Sequence, residues 1–264
     1  MKVKLKVISI QLCLLLFLLV IWEIAGRISP RMFFVLGTPT AVALELWKLL
    51  YREGFHVHVF VTAAEALSGL FLGTAIGSMF GLYLWYSDTA ARVTRPFIVG
   101  LGTLPIFAFA PLMIIWFGIG FQMKAAMATF ATIFFAFAQS YRAARSVASE
   151  YVEFLKGMGA SRWQVMWKAI VPGSITSVLG SMRMNVGLAL LGAFIGEFIA
   201  SNQGLGFLIL RAASLYNVPR AFAAAIGIMS LALMLDLIGA LIEQRSYFLV
   251  QLLSVNKQLW RKPR

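Results

Sequence analysis

Long apolar runs separated by short polar or basic segments dominate the chain. A membrane-crossing helix needs about 20 mostly apolar residues. Residues 7–25, 57–86, 96–118, 125–141, 174–199 and 221–242 all come close to or exceed that length. The pattern predicts an all-α, polytopic membrane protein with about six transmembrane helices, forming one transmembrane domain over residues 1–264. The first run follows Lys2, Lys4 and Lys6, the basic start that a cleaved leader also has. The segment after Trp22 contains no small-x-small cleavage site, so 7–25 is read as a retained, accessory first helix. Ser29-Pro30 and Thr38-Pro39-Thr40 are helix-start signals. Behind the second of them Val42, Leu46, Leu49 and Leu50 recur at helical spacing, with Glu45, Lys48 and Arg52 between them. This predicts a short amphipathic helix along the membrane interface.

Composition supports the membrane reading. Hydrophobic residues make up 61% and charged residues 12%, and no soluble interior of this size could bury that much apolar surface. One cysteine, Cys13, rules out an intrachain disulfide. Two histidines, His56 and His58, are too few for most metal sites. The net charge of +13 would suit a nucleic-acid binder, but its distribution argues otherwise. With the N-terminus in the cytoplasm, fifteen of the 23 lysines and arginines fall inside, seven outside (Lys124 among them), and Arg183 falls in a span. This obeys the positive-inside rule, so the basic excess records topology and no nucleic-acid partner is implied.

Within the spans, Gly69, Gly73, Gly77 and Gly81 lay a smooth stripe down the second helix, which predicts close packing inside one subunit. Pro105 and Pro111 interrupt the third span. Each removes a backbone donor and displaces a carbonyl, which makes this span a candidate wall of a solute path. The polar residues Thr103, Gln139, Ser140 and Asn185 are further path candidates, although interhelical hydrogen bonds would explain them equally well. Charges in spans are costly. Arg183 and Asp236 fall near inner ends, Glu197 near an outer end as a gate or docking candidate, and Glu65 needs a cation that spacing does not identify.

Residues 142–172 form the most distinctive segment. Helix-favouring residues run up to a break at Gly157-Met158-Gly159. A second helix starts near Ser161, whose hydroxyl can cap it, and is predicted to stop before Pro172 with Trp163, Met166, Trp167 and Ile170 on one face. Two short helices on the basic side can present a rigid knob to a protein, or rest on lipid.

This segment resembles the coupling loop of the permease subunits of bacterial ABC importers. That loop carries Glu-Ala-Ala, three residues, Gly, nine residues, then Ile-x-Leu-Pro. Glu153, Gly159 and Pro172 stand at the matching positions. Gly159-Ala160-Ser161-Arg162-Trp163, the stretch from Pro111 to Gly120, Glu197, and the stretch from Gly204 to Ile209 look like the nitrate, sulfonate and taurine branch. Phe154 and Leu155 replace the two alanines, and Ala169 the isoleucine, which suggests a partner groove matched to larger side chains. The resemblance implies an ATPase-coupling site of Glu153, Gly157, Gly159, Ala160, Ser161 and Arg162 in a bacterial cytoplasmic (inner) membrane protein with both termini cytoplasmic. It implies a second copy of the chain, two cytoplasmic ATP-binding subunits, a periplasmic or lipid-anchored solute-binding protein, and a small, anionic cargo. The chain has no phosphate-cradling G-x-x-x-x-G-K-[ST], so ATP and Mg would be bound by the partner ATPase and no cofactor by this chain. An ATP-independent channel or secondary transporter is the alternative, and it leaves the Glu153–Pro172 spacing unexplained. An intramembrane enzyme lacks any nucleophile motif: neither Gly-x-Ser-x-Gly nor His-Glu-x-x-His occurs.

Overall fold

The structure, a computed structural model, describes the backbone of residues 2–259 and the side chains of residues 6–241 and of Glu243. The side chains of Lys2, Lys4, Arg245 and Lys257, and residues Arg261, Lys262 and Arg264, all counted above as inside charges, lie outside those described. Among the described residues every element is helical. In order they are α1 (Lys2–Arg27), α2 (Pro30–Leu36), α3 (Pro39–Arg52), α4 (Phe55–Tyr83), α5 (Asp88–Thr103), α6 (Ala110–Phe117), α7 (Phe121–Arg145), α8 (Ser149–Gly157), α9 (Arg162–Val165), α10 (Val171–Ile199), α11 (Leu205–Ser214) and α12 (Val218–Leu259).

Among the described residues, five helical stretches are long and apolar enough to cross a membrane: Lys6–Arg27, Phe55–Tyr86, Phe121–Arg145, Arg162–Ile199 and Val218–Leu241. The third predicted span is different. It begins at Asp88 and folds back by 91° between Asp88–Thr103 and Ile106–Phe117. The break falls at Leu104-Pro105, both in extended backbone. Pro111 causes no kink, because it sits in the first turn of α6, where a missing N–H costs nothing.

Packing sorts the chain into two units, residues 1–61 with 202–230 and residues 62–201 with 231–264. In the first unit, Ser29 and Thr38 cap α2 and α3 with prolines in the first turn, as their sequence signals predict. Glu23 of α1 accepts hydrogen bonds from the Thr40 N–H at 3.0 Å and its hydroxyl at 2.8 Å, which fixes α3 against α1. Val42 and Leu49 are buried, whereas Leu50 is exposed.

In the second unit α7 is the central element. The glycines of α4 lie on it: a Cβ at Gly69 would meet Ala128, at Gly73 Thr132, at Gly77 the Ile133 carbonyl and at Gly81 the Phe137 carbonyl. Gly192 and Gly196 of α10 lie as closely on Met127-Ala128 and on Lys124. Small residues therefore let three backbones approach where larger side chains would hold them apart. α7 also starts earlier than predicted, at Phe121, so Lys124 lies buried inside the helix and not in an outer loop.

Candidate functional site

Two features are candidate sites: the bent third span and the turn between α8 and α9. At the bend, a cavity of about 510 Å³ is lined by Thr103, Pro105, Ile106, Phe130, Phe134 and Leu188, among other residues, and contains no ionisable side chain. Thr103 donates its hydroxyl to the Gly100 carbonyl at 2.9 Å, so its methyl and ring-facing neighbours leave the cavity largely apolar.

The other path candidates lie elsewhere. Ser140 is buried and hydrogen-bonded to Ser78 at 2.8 Å across the α4–α7 seam. Asn185 is buried on α10, its amide 3.4 Å from the Thr74 hydroxyl. Gln139 lies 3.7 Å from the Met184 sulfur. Glu197 is buried and accepts the Thr62 hydroxyl at 2.6 Å. Pro111 opens α6. Thr103 and Pro105 meet at the cavity by the bend.

The α8–α9 turn is built from local chemistry. α8 ends at Gly157, and Gly159 follows with φ of 80°, a left-handed conformation that costs glycine little and side chains more. Its N–H donates to the Lys156 carbonyl at 2.9 Å, and that of Ala160 donates to Leu155 at 3.0 Å. These bonds satisfy carbonyls that a helix end would otherwise leave open. Ser161 then caps α9 through a reciprocal pair with Gln164: Gln164 N–H to Ser161 Oγ at 3.3 Å, and Ser161 N–H to Gln164 Oε1 at 2.8 Å.

From there the helix does not stop before Pro172. A single wide π-turn over Met166–Ile170 joins α9 directly to α10. Pro172 brings no N–H and its ring crowds the carbonyl four residues back. Widening the ladder at this point lets the helix pass the proline instead of ending there. The burial pattern follows the same geometry. Val165, Met166 and Ile170 enter a core cluster with Ala144, and Leu155 packs partly against it. Trp163 and Trp167 remain exposed, their rings edge-on at 5.6 Å. The four residues predicted for one face therefore divide between two. The same holds for the substituted pair after Glu153: Leu155 turns to the core, and Phe154, 65% exposed, turns outward.

Charged residues hold this turn to the segment just before α5, and the end of α7 to the first residue of α5. Arg162 donates to the Tyr86 carbonyl at 3.1 Å, and Arg145 pairs with Asp88 at 2.6 Å. Glu153 lines the polar cavity between them, of about 680 Å³, together with Arg92 and Lys156. Nothing in residue spacing marks Tyr86 or Asp88 as neighbours of this turn. Nor does spacing mark Lys124 as the cation for Glu65, which the fold supplies at 2.6 Å. Among the described residues no group of three or more metal-ligating side chains occurs.

Known proteins are similar to this chain in sequence and in fold. The chain is 30% identical over 208 residues to the formylaminopyrimidine transport permease protein of Halalkalibacterium halodurans, covering 79% of this chain and 82% of that one. It is 31% identical over 230 residues to the riboflavin transport system permease protein of Chloroflexus aurantiacus, covering 87% and 86%. Its fold matches a chain of the inward-facing MetNI methionine ABC transporter with a TM-score of 0.64 at 18% identity, over 71% of this chain and 94% of that one. Residues 69–246 match the binding-protein-dependent transport system inner membrane component family, and the chain belongs to that family of ABC transporter permeases.

Proposed function

We propose that this permease works as a pair of identical chains in the bacterial inner membrane, both termini cytoplasmic, with two ATP-binding subunits docked on the α8–α9 turns and a solute-binding protein delivering cargo from outside. The observation that carries this reading is the turn itself. Glu153, Gly157, Gly159, Ala160, Ser161 and Arg162 form a capped, hydrogen-bonded corner that leaves Phe154, Trp163 and Trp167 facing outward. Large exposed aromatics on a rigid corner suit insertion into a pocket on a partner protein. ATP and Mg belong to that partner. Closure of the two ATPases would favour one of two permease conformations through differential contacts, and hydrolysis would release it.

For the cargo, the uncharged, phenyl-lined cavity beside Thr103 and Pro105 favours a small heteroaromatic solute over a bare anion. An anion brought there would lose water without gaining a cation. Relatives named for formylaminopyrimidine and riboflavin transport are in line with that choice, others are named for aliphatic sulfonates and taurine, and the cavity lining therefore carries it.

The test is to co-express the chain with the ATPase and binding protein encoded beside it, purify the complex, and reconstitute it in proteoliposomes. ATP-dependent uptake of a pyrimidine- or flavin-type solute is the expected result. Uptake of taurine, a sulfonate or nitrate instead would overturn the cargo class while keeping the importer. Solute flux without any ATPase would overturn the importer itself.

A further inference from the structure

Between α5 and α7, both in the second unit, runs a groove that holds a cavity of about 380 Å³. The Arg145–Asp88 pair at 2.6 Å puts the start of α5 beside the end of α7, so the basic ends of the two helices lie together. The lining changes character along the helices. At the basic end stand Arg92 and Arg95 of α5 and Arg142 of α7, all three exposed. Further in, Ile98 and Val99 of α5 and Phe137 and Ala138 of α7 form an apolar wall. Among the described residues no carboxylate lines this cavity, and none of the three arginines forms an ion pair. Arg92 Nε reaches the Asp88 carbonyl at 3.4 Å. Neither the α8–α9 turn nor the cavity at the bend uses Arg95 or Arg142.

Arg95 and Val99 are four residues apart on α5, as are Ala138 and Arg142 on α7, so each helix turns one face to the groove. On both, the step from charge to apolar wall is about 6 Å at 1.5 Å per residue. The headgroup layer of a bilayer is of similar thickness, roughly 5–8 Å on each side of the hydrocarbon core. The groove therefore suits a ligand with negative charge at one end and hydrocarbon at the other. Other occupants fit it badly. A second copy laid on the same groove about a two-fold axis would set its own three arginines against these. A protein in the aqueous phase does not reach a wall that lies within the membrane-crossing part of α7. A zwitterionic lipid brings a cation along with its phosphate.

We infer that the α5–α7 groove binds one anionic phospholipid per chain, its phosphate on Arg92, Arg95 and Arg142 and the start of an acyl chain along Ile98, Val99 and Ala138. Basic pockets between membrane-crossing helices take anionic head groups in this way. Ile98, Val99 and Ala138 also border the cavity at the bend, so the lipid braces the wall of that cavity from the other side. The inference rests on the chain crossing a membrane and stands apart from the cargo and the ATPase.

Native mass spectrometry of the full-length protein tests it, after release from nanodiscs made of equal amounts of phosphatidylglycerol and phosphatidylcholine with the same acyl chains. The protein should keep one phosphatidylglycerol per chain under activation that strips phosphatidylcholine. Arg95→Gln and Arg142→Gln should each lower that retention about fivefold, the factor that one basic side chain near an anionic surface contributes. Arg52→Gln, on α3 of the first unit, should leave it unchanged. Glycerol phosphate, the headgroup without its chains, should not displace the lipid. Equal retention of the two lipids by the wild type would overturn the proposal, and that reading needs no variant to fold. Full displacement by glycerol phosphate would also overturn it, leaving a site for soluble anions. Retention indifferent to both arginines in monodisperse protein would place the lipid elsewhere and sink the assignment. A wild-type dimer that carries no lipid and parts in the Arg95→Gln, Arg142→Gln double variant would make the groove a contact between copies instead.

Discussion

Arg183 holds Asp236 with two parallel hydrogen bonds, Nε to Oδ1 at 2.7 Å and a terminal nitrogen to Oδ2 at 2.8 Å, and so ties α10 to α12. Glu243, one further stretch along α12, stands 3.7 Å from the same guanidinium. Bidentate geometry makes the pair directional, which a lysine could not reproduce. Asp236→Ala should lower the heat resistance of the purified protein while leaving Arg183 its weaker partner, so that insertion survives. Arg183→Asp combined with Asp236→Arg should recover part of the loss. Thermal aggregation in detergent reads both, and equal stability of wild type and Asp236→Ala would show that the pair contributes nothing.

The seam between α4 and α7 gives a steric prediction. A Cβ at Gly73 would strike Thr132 Oγ1 and come to 2.8 Å from the Thr129 carbonyl, neither of which can retreat far within a helix seam. Gly73→Val should cost roughly 1–3 kcal/mol or more by overpacking. Gly100 of α5 has nothing within 4 Å of a built Cβ. Gly100→Ala should be neutral or stabilising by up to about 1 kcal/mol through helix propensity. Comparing unfolding of the two variants in one detergent checks the contrast.

At the α8–α9 corner, proline cannot adopt the φ of 80° at Gly159, and it would remove the N–H that bonds to Lys156. Gly159→Pro should leave membrane insertion intact while uncoupling ATP hydrolysis from uptake. Trp163→Ala removes an outward ring, 61% exposed, and should weaken ATPase co-purification several-fold with the melting temperature unchanged. Retained transport by Gly159→Pro would count against the docking assignment.

Acid sensitivity is expected in the first unit. Hydrogen bonds from Arg220, one of them at 3.1 Å, hold the Glu53 carboxyl below the usual carboxylate range. A lowered value means that the folded protein favours the charged form. The stabilisation is therefore present at neutral pH and is lost as pH falls through the lowered value. Heat resistance measured across that acid range should show a step that Glu53→Gln removes.

The elements legible from sequence were those with a periodic or a local cause. Apolar runs located the spans, Ser29 and Thr38 announced their helix starts, and the four-residue glycine spacing of α4 anticipated its packing. The break at Gly157–Gly159 and the Ser161 cap were legible because turn chemistry acts over a few residues. What escaped was set by distance along the chain. Lys124 is 59 positions from Glu65, and only the α4–α7 packing brings them together. Pro172 misled because a helix-breaking residue was met by a π-turn, which periodicity does not reveal. Of the candidate path residues, polarity in a span could not separate Thr103, beside a cavity, from Ser140 and Asn185, which lie in helix seams.

That π-turn has a mechanical result. Because the helix passes Pro172, Arg162–Ile199 forms one stretch of 38 residues, about 57 Å long at 1.5 Å per residue. A rigid rod of that length would act as a lever arm: a tilt of about 5° about its α9 end would become a displacement of roughly 5 Å at the other. Had the chain broken at the proline, the same push would have been absorbed by a hinge.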